Sequence, residues 1–423
     1  VSNGPSEKIG ILAGDRIIAV NDSAIAGVKM STEEIMKRLR GPKGSKVNLK
    51  IVRRGVQDPL VFTVKRDKIP ILSLDASYMI QPKTGYIRIN RFGATTAEEF
   101  KKAMKELQKQ GMKDMILDLQ GNGGGYLNAA IDLANEFLGQ KELIVYTEGR
   151  TAKRSDFYAK GNGEFRNGRL IVLVDEYTAS ASEIVSGAVQ DWDRGIIVGR
   201  RSFGKGLVQR PIDLPDGSMI RLTIARYYTP AGRCIQKPYD SSTDYNKDLI
   251  ERFNHGELMN ADSIHFPDSL KVQTKKLGRT VYGGGGIMPD YFVPIDTTLY
   301  TDYHRNLVAK GAVIKFTMKF IEGHRKELAN KYKKFESFNE KFIIDDDMLA
   351  TLREMGEKEG VKFNEEQYQK SLPLIKTQLK ALIARDLWDM NEYFRVMNTT
   401  NESVQKALEI LNSEEYQKKL RAN

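Results

Sequence analysis

Apolar and polar residues alternate with period two at 47–53 and 60–64, as they do in half-buried strands. A polar helix is expected ahead of them at about 31–39, and the Gly-Pro-Lys-Gly run at 41–44 reads as a turn. From about residue 71 the rhythm changes. Apolar strands near 85–90, 114–119, 143–147, 170–174 and 195–199 are separated by helices at about 96–110, after the glycines at 123–125, and from about 179. The first of these helices opens with Thr-Thr-Ala-Glu-Glu, a capping-box-like start. Strands spaced by helices imply largely parallel pairing, so an α/β core is expected. Beyond residue 300 the pattern turns to Lys- and Glu-rich helical periodicity, as at 349–359, 365–387 and 401–411. The expected division is a first domain at 1–66, a linker at 67–82, a core at 83–299 and a helical C-terminal domain at 300–423.

Composition narrows the function classes. Hydrophobic residues make up 40% of the chain and charged residues 29%, and no apolar run approaches the ~20 residues that span a bilayer. The net charge of +11 is scattered and accompanies no nucleic-acid-binding motif, so it reads as a solvated basic surface. The single Cys234 excludes an internal disulfide and a cysteine metal cluster, and no cofactor or metal is expected. The chain begins at Val1 with no leader pattern, so a signal peptide is expected to have been removed or to lie outside this sequence.

In the first domain, Gly14-Asp15 makes a turn before the apolar strand that ends at Asn21. With the helix and hairpin that follow, this order resembles the second half of a PDZ domain. Such domains place their carboxylate-binding loop and peptide-pairing strand earlier, so the peptide-capturing edge is expected to be missing here.

The candidate chemistry lies in the core. At Asp175-Glu176-Tyr177-Thr178-Ala179-Ser180-Ala181-Ser182-Glu183 an apolar strand meets small residues that open a helix. A serine there can present its hydroxyl beside amides of the helix N-terminus, although serine is also a common helix cap. After the next strand, Ser202-Phe203-Gly204-Lys205-Gly206 sets one lysine between two glycines. Glycines let backbone and apolar atoms enclose the amine; enclosure disfavours its charged form, so Lys205 can take the proton of Ser180. Gln209 lies four residues on, and on a strand both side chains would share a face, making its amide the natural orienting group. A Walker-type phosphate loop is not matched, because Gly206 and not Ser or Thr follows the lysine. His255, His265, His304 and His324 all lie after these motifs and read as surface or packing residues. The turn Gln120-Gly121-Asn122-Gly123-Gly124-Gly125 can point free amides outward or serve as a loop that needs positive φ.

Taken in order, the glycine turn, Thr-Ala-Ser-Ala-Ser-Glu, Phe-Gly-Lys-Gly and Gln, then Ala225-Arg226-Tyr227-Tyr228-Thr229-Pro230-Ala231-Gly232-Arg233 and Gly284-Gly285-Gly286-Ile287-Met288-Pro289-Asp290, resemble the C-terminal (tail-specific) processing peptidases. The resemblance runs over roughly residues 5–296. It implies a crotonase-like α/β protease core with an attached PDZ domain, and a Ser-Lys-Gln set in which Ser180, not Ser182, is the nucleophile, Lys205 the base and Gln209 the orienting amide. The oxyanion amides would be those of Ala181 and Gly124. Gln120 departs from the family, which often has Arg there. The implied protein is an exported or periplasmic bacterial endopeptidase that forms an acyl-enzyme on polypeptides, unfolded or with exposed C-termini, selected by their tails. A homo-oligomer or an adaptor protein would be its protein partner. The rivals are a catalytically silent PDZ-type adaptor, which has no use for the Ser-Lys-Gln set, and a crotonase-type acyl-CoA enzyme, which needs no Ser-Lys pair.

Overall fold

The computed structural model describes residues 4–12, 14–53, 56–69, 71–238 and 247–421; the other positions, among them Ala13 before the Gly14-Asp15 turn, lie outside the description. The chain divides into two compact units, Val1–Ile71 with Thr298–Val396 and Leu72–Thr297 with Met397–Asn423.

In the first unit, the strands Ser23–Ala24, Arg16–Val20, Lys46–Val52 and Leu60–Lys65 lie in that order in an antiparallel sheet. Residues along Lys46–Val52 are alternately exposed and buried, as the period-two pattern requires. Val47, Leu49 and Ile51 pack with Val20, Ile25 and Val64 to form the core of the sheet. The helix Thr32–Leu39 is closed by a capping box, with Ser31 N–H donating to Glu34 and Glu34 N–H donating to Ser31 Oγ. The helices Asp302–Ala309, Ala312–Lys331, Phe335–Lys341, Asp346–Lys358 and Glu365–Leu387 belong to the same unit, and the side chains of Thr301, Asp345 and Asn364 cap three of them.

The second unit holds a six-stranded sheet in the order Tyr291–Phe292, Ile196–Gly199, Leu170–Val174, Asp114–Asp118, Thr84–Ile89, Leu74–Gln81. All neighbours are parallel except the last two, which form an antiparallel hairpin. Two features differ from expectation. The strand Leu143–Glu148 joins a separate antiparallel sheet with Ser155–Tyr158 and Met219–Tyr228, because the short link to residue 155 allows a hairpin and no crossover. The helix Thr96–Lys109 forms without a side-chain cap at Thr95, since the Glu99 carboxylate instead accepts from Ser73 N–H, Leu74 N–H and Thr95 Oγ.

Every residue of Leu170–Val174 is buried, as suits a central parallel strand covered on both faces. Leu170, Val172 and Val174 belong to a core built with the helices Thr96–Lys109, Leu127–Asn135 and Ala181–Asp191. Against the strands' other face lies the helix Glu402–Asn412, with Val404, Ala407, Ile410 and Leu411 buried. Residues 397–421 are thus built into the same unit as the sheet and not into the helical unit that precedes them.

Asp15 ties the Gly-Asp turn to the sheet of the first unit. Its carboxylate accepts two hydrogen bonds from the Arg53 guanidinium (2.7 and 2.6 Å) and one from Leu12 N–H (2.8 Å). Burial pushes its pKa up, but Arg53 and the Leu12 amide outweigh burial and hold it below the ordinary 3.8. The folded state therefore releases this proton more readily than the unfolded chain, and the stability it confers is present above the unfolded value and is lost as acid carries the pH through the folded one. Asp15→Asn is expected to weaken this sheet by about 2 kcal/mol near neutrality. The gap should close as pH falls below about 4. Urea unfolding at several pH values, followed by mass spectrometry of labelled peptide 46–52, measures both effects; a gap that does not change with pH would refute the assignment.

Candidate active site

Three loops leave the carboxyl ends of three neighbouring parallel strands: 119–126 after Asp114–Asp118, 175–180 after Leu170–Val174 and 200–206 after Ile196–Gly199. This is the edge of an α/β sheet where ligands bind. Backbone hydrogen bonds stitch the loops together, with Ala179 N–H donating to Asn122 O (2.9 Å) and Phe203 N–H to Thr178 O (2.9 Å). Buried Asp175 adds another tie, its Oδ1 accepting from the N–H groups of Gly121, Tyr177 and Thr178.

Ser180 stands at the turn into the helix Ala181–Asp191 with φ +58° and ψ −114°, a conformation that costs a non-glycine residue energy. Its hydroxyl makes no cap hydrogen bond; its own N–H is the group engaged, donating to Glu183 Oε2 at 2.8 Å. The Ser182 hydroxyl is fully buried and donates to Asn122 O at 3.0 Å. Of the two serines, Ser180 is the half-buried residue and Ser182 the fully buried one whose hydroxyl is committed to structure.

Gly124 packs directly against Ser180. A Cβ there would lie 2.7 Å from Ser180 Cβ and 2.8 Å from Ala179 O, and its φ is +98°, so only glycine fits. Its N–H donates to Asn122 Oδ1 at 2.9 Å, which occupies one of the two amides expected to face an oxyanion. The Ala181 N–H has no acceptor among the described residues.

The lysine loop is built differently from the enclosed amine read from the sequence. Lys205 is exposed, and its ammonium makes no hydrogen bond to Ser180 among the described residues. The flanking glycines serve close packing elsewhere: a Cβ on Gly206 would lie 2.6 Å from Gln236 N, and one on Gly204 3.0 Å from Gly286 N. Gln209 is exposed on the strand Leu207–Asp213, opposite Thr223. That strand starts only after Lys205, and its pairing is irregular between Val208 and Gln209, so period two does not place the two side chains on one face.

The residue that unites the loops is Glu183, which sequence reasoning left without a role. Its fully buried carboxylate accepts from Ser202 Oγ (2.5 Å) and Gly204 N–H (2.7 Å) through Oε1, and from Ser180 N–H (2.8 Å) and Lys205 N–H (2.9 Å) through Oε2. Its place three residues after Ser180 is the capping-box position, the one available signal in the sequence. That spacing announces a cap, but the side chain reaches a second loop as well. Burial pushes the Glu183 carboxyl above its ordinary 4.5 despite the four donors. The folded state therefore holds this proton more tightly than the unfolded chain, so stability falls as pH rises from 4.5 through the folded value. Glu183→Gln removes the titrating group and is expected to flatten that part of the stability–pH curve; denaturant unfolding of both proteins from about pH 4 to 7 checks the slope. Identical slopes would show that Glu183 does not titrate differently on folding.

Comparison with known proteins supplies the family. Residues 83–243 match peptidase family S41, residues 1–53 a PDZ domain and residues 303–389 a family of unknown function. The chain is 40% identical over 242 residues to a carboxyl-terminal-processing protease of Synechocystis sp., covering 56% of this chain and 55% of that protein. It is 35% identical over 235 residues to the carboxy-terminal processing protease CtpB of Bacillus subtilis, covering 55% and 48%. A photosystem II D1 C-terminal processing protease of known structure is 29% identical, with 71% of this chain and 68% of that one covered and a TM-score of 0.38. The chain spans about half the length of the curated relatives it matches. With Ser180 at the carboxyl edge of its sheet, the segment 83–243 is thus similar to peptidase family S41, joined in one chain to a segment at residues 1–53 that matches a PDZ domain.

Proposed function

We propose that the chain is a serine endopeptidase that cleaves polypeptides through an acyl-enzyme on Ser180. The observation that carries this reading is the contrast between the two serines: Ser180 stands half-buried on a strained turn with no hydroxyl hydrogen bond to another side chain among the described residues, and Ser182 has a buried hydroxyl bonded to Asn122 O. In the reaction, Ser180 Oγ attacks the scissile carbonyl as its proton passes to the neutral amine of Lys205. The C–N bond then breaks, and the leaving amine departs with that proton. Water, losing a proton to the same amine, adds to the ester; the acyl C–Oγ bond then breaks, Ser180 Oγ takes that proton from the amine, and the new C-terminus is released. Ala181 N–H would stabilise the developing oxyanion, and Gly124 N–H could assist only after leaving Asn122 Oδ1.

Lys205 must come to Ser180 for this chemistry. Its exposed side chain is long, and its backbone N–H already shares the Glu183 carboxylate with Ser180 N–H. Closure of the site over a substrate would shed water from the amine and disfavour its charged form. Gln209 is assigned the orienting role in that closed state. Processing at substrate C-termini is carried over from the family resemblance and from the names of the relatives, and a crotonase-like core and an exported or periplasmic setting from the resemblance alone. No helix among the described residues is long and apolar enough to cross a membrane.

A catalytically silent PDZ-type adaptor is the second reading, favoured by the exposure of Lys205 and Gln209. The two separate on an unfolded protein substrate. Ser180→Ala and Lys205→Ala should each lose cleavage by about 10³-fold or more, and Ser182→Ala should keep most of it, having lost one hydrogen bond. A chelator should leave the rate unchanged. Loss of activity in Ser182→Ala alone would move the nucleophile by two residues, and absence of cleavage by the unmodified chain would favour the adaptor.

A further inference from the structure

We propose that Asn401 is a positioning residue, through which the segment 397–421 braces the glycine turn at the active site. The inference rests on the reading of Ser180 as nucleophile. It starts from the two-sided use of one amide. Asn401 caps the helix Glu402–Asn412, its Oδ1 accepting from Ser403 N–H (3.1 Å) and Val404 N–H (3.2 Å). Those two donors fix which end of the amide is oxygen, so Nδ2 faces away from the helix. It donates to Gln120 Oε1 at 3.1 Å.

Gln120 begins the glycine turn that lies beneath Ser180, and its backbone is held at both ends. Its N–H donates to Asp118 Oδ1 (2.8 Å), and its carbonyl accepts from Arg88 Nη2 (2.8 Å). Arg88 and Tyr86 in turn both donate to Asp118 Oδ2. Four residues further on, Gly124 is in contact with Ser180 Cβ, and between them Asn122 O accepts from both Ala179 N–H and Ser182 Oγ. A displacement of the turn therefore carries directly into the nucleophile and the Ala181 amide, where small errors of position are costly.

The segment bearing Asn401 is itself firmly anchored to the core. Asn398 Nδ2 donates to Tyr78 OH (2.8 Å), Arg169 Nη1 to Leu411 O (2.6 Å) and Leu170 N–H to Tyr416 OH (2.9 Å). Asn412 and Gln81 exchange a pair of amide hydrogen bonds. The glycine turn is thus braced from the neighbouring strand by Arg88, from the nucleophile loop by Asp175, and from the far end of the sequence by Asn401.

A residue that only capped the helix could be replaced by any good cap. Asn401→Ser keeps the cap but is too short to reach Gln120; Asn401→Asp keeps the cap and can accept from the Gln120 amide turned about. In the full chain, Asn401→Ser is expected to lower kcat about 5-fold with KM unchanged, as loss of one positioning hydrogen bond predicts, and Asn401→Asp should stay near the unmodified rate. Independently of activity, amide exchange in the peptide 119–126 should quicken about 5-fold in Asn401→Ser and not in Asn401→Asp, with the helix Glu402–Asn412 equally protected in both. Equal behaviour of the Ser and Asp variants, or faster exchange with an unchanged kcat, overturns the proposal. If the unmodified chain shows no Ser180-dependent cleavage, the peptidase reading fails and the positioning role falls with it, whatever the exchange shows; an active chain with unchanged exchange and rate sinks the positioning role alone.

Discussion

One buried carboxylate, that of Glu183, holds the active-site loops in register. Four donors from two loops converge on it: Ser180 N–H from the nucleophile turn, and Ser202 Oγ, Gly204 N–H and Lys205 N–H from the lysine loop. A charge or acid removed from water is costly unless its oxygens are satisfied, and here both oxygens are. The arrangement fixes the backbone of Ser180 and Lys205 to one group through their N–H groups and leaves both side chains outside that contact.

That division explains how a site can be half built. The turn of Ser180, the glycine beneath it and the Ala181 amide are set by buried hydrogen bonds and by an approach that tolerates no Cβ. Lys205 and Gln209, by contrast, sit exposed where the parallel sheet gives way to an antiparallel ribbon. The buried half is the half that local packing can specify; the exposed half is not.

Most elements of the fold were legible because their signals are local. The strand Leu170–Val174 and the helix Glu365–Leu387 lie where the apolar pattern puts them. The turn at Ser180 was legible from small residues at a strand-to-helix junction, whereas the preference for Ser180 over Ser182 came from the family resemblance. The glycines around Lys205 misled, because a missing Cβ reports only that something is close, and the close atoms proved to be Gln236 N and Gly286 N and not the lysine amine. Glu183, Asn122 and Asn401 act through partners that lie from 19 to 281 residues away in sequence, a distance no periodicity records. For the same reason the place of residues 397–421 was illegible: a helix reads as amphipathic without naming the sheet it covers.

The central sheet has a consequence for how the chain is made. Strands ending at Gly199 have their second face closed by a helix that begins at Glu402, so a growing polypeptide must be extended by roughly two hundred residues between the two. At about 5–20 residues per second, Ile171, Leu173, Ile196 and Val198 wait on the order of ten to forty seconds for their cover. During that interval the nucleophile turn rests on an incomplete sheet. Vectorial synthesis thus delays closure of the sheet that carries the Ser180 turn until the helix Glu402–Asn412 has been made.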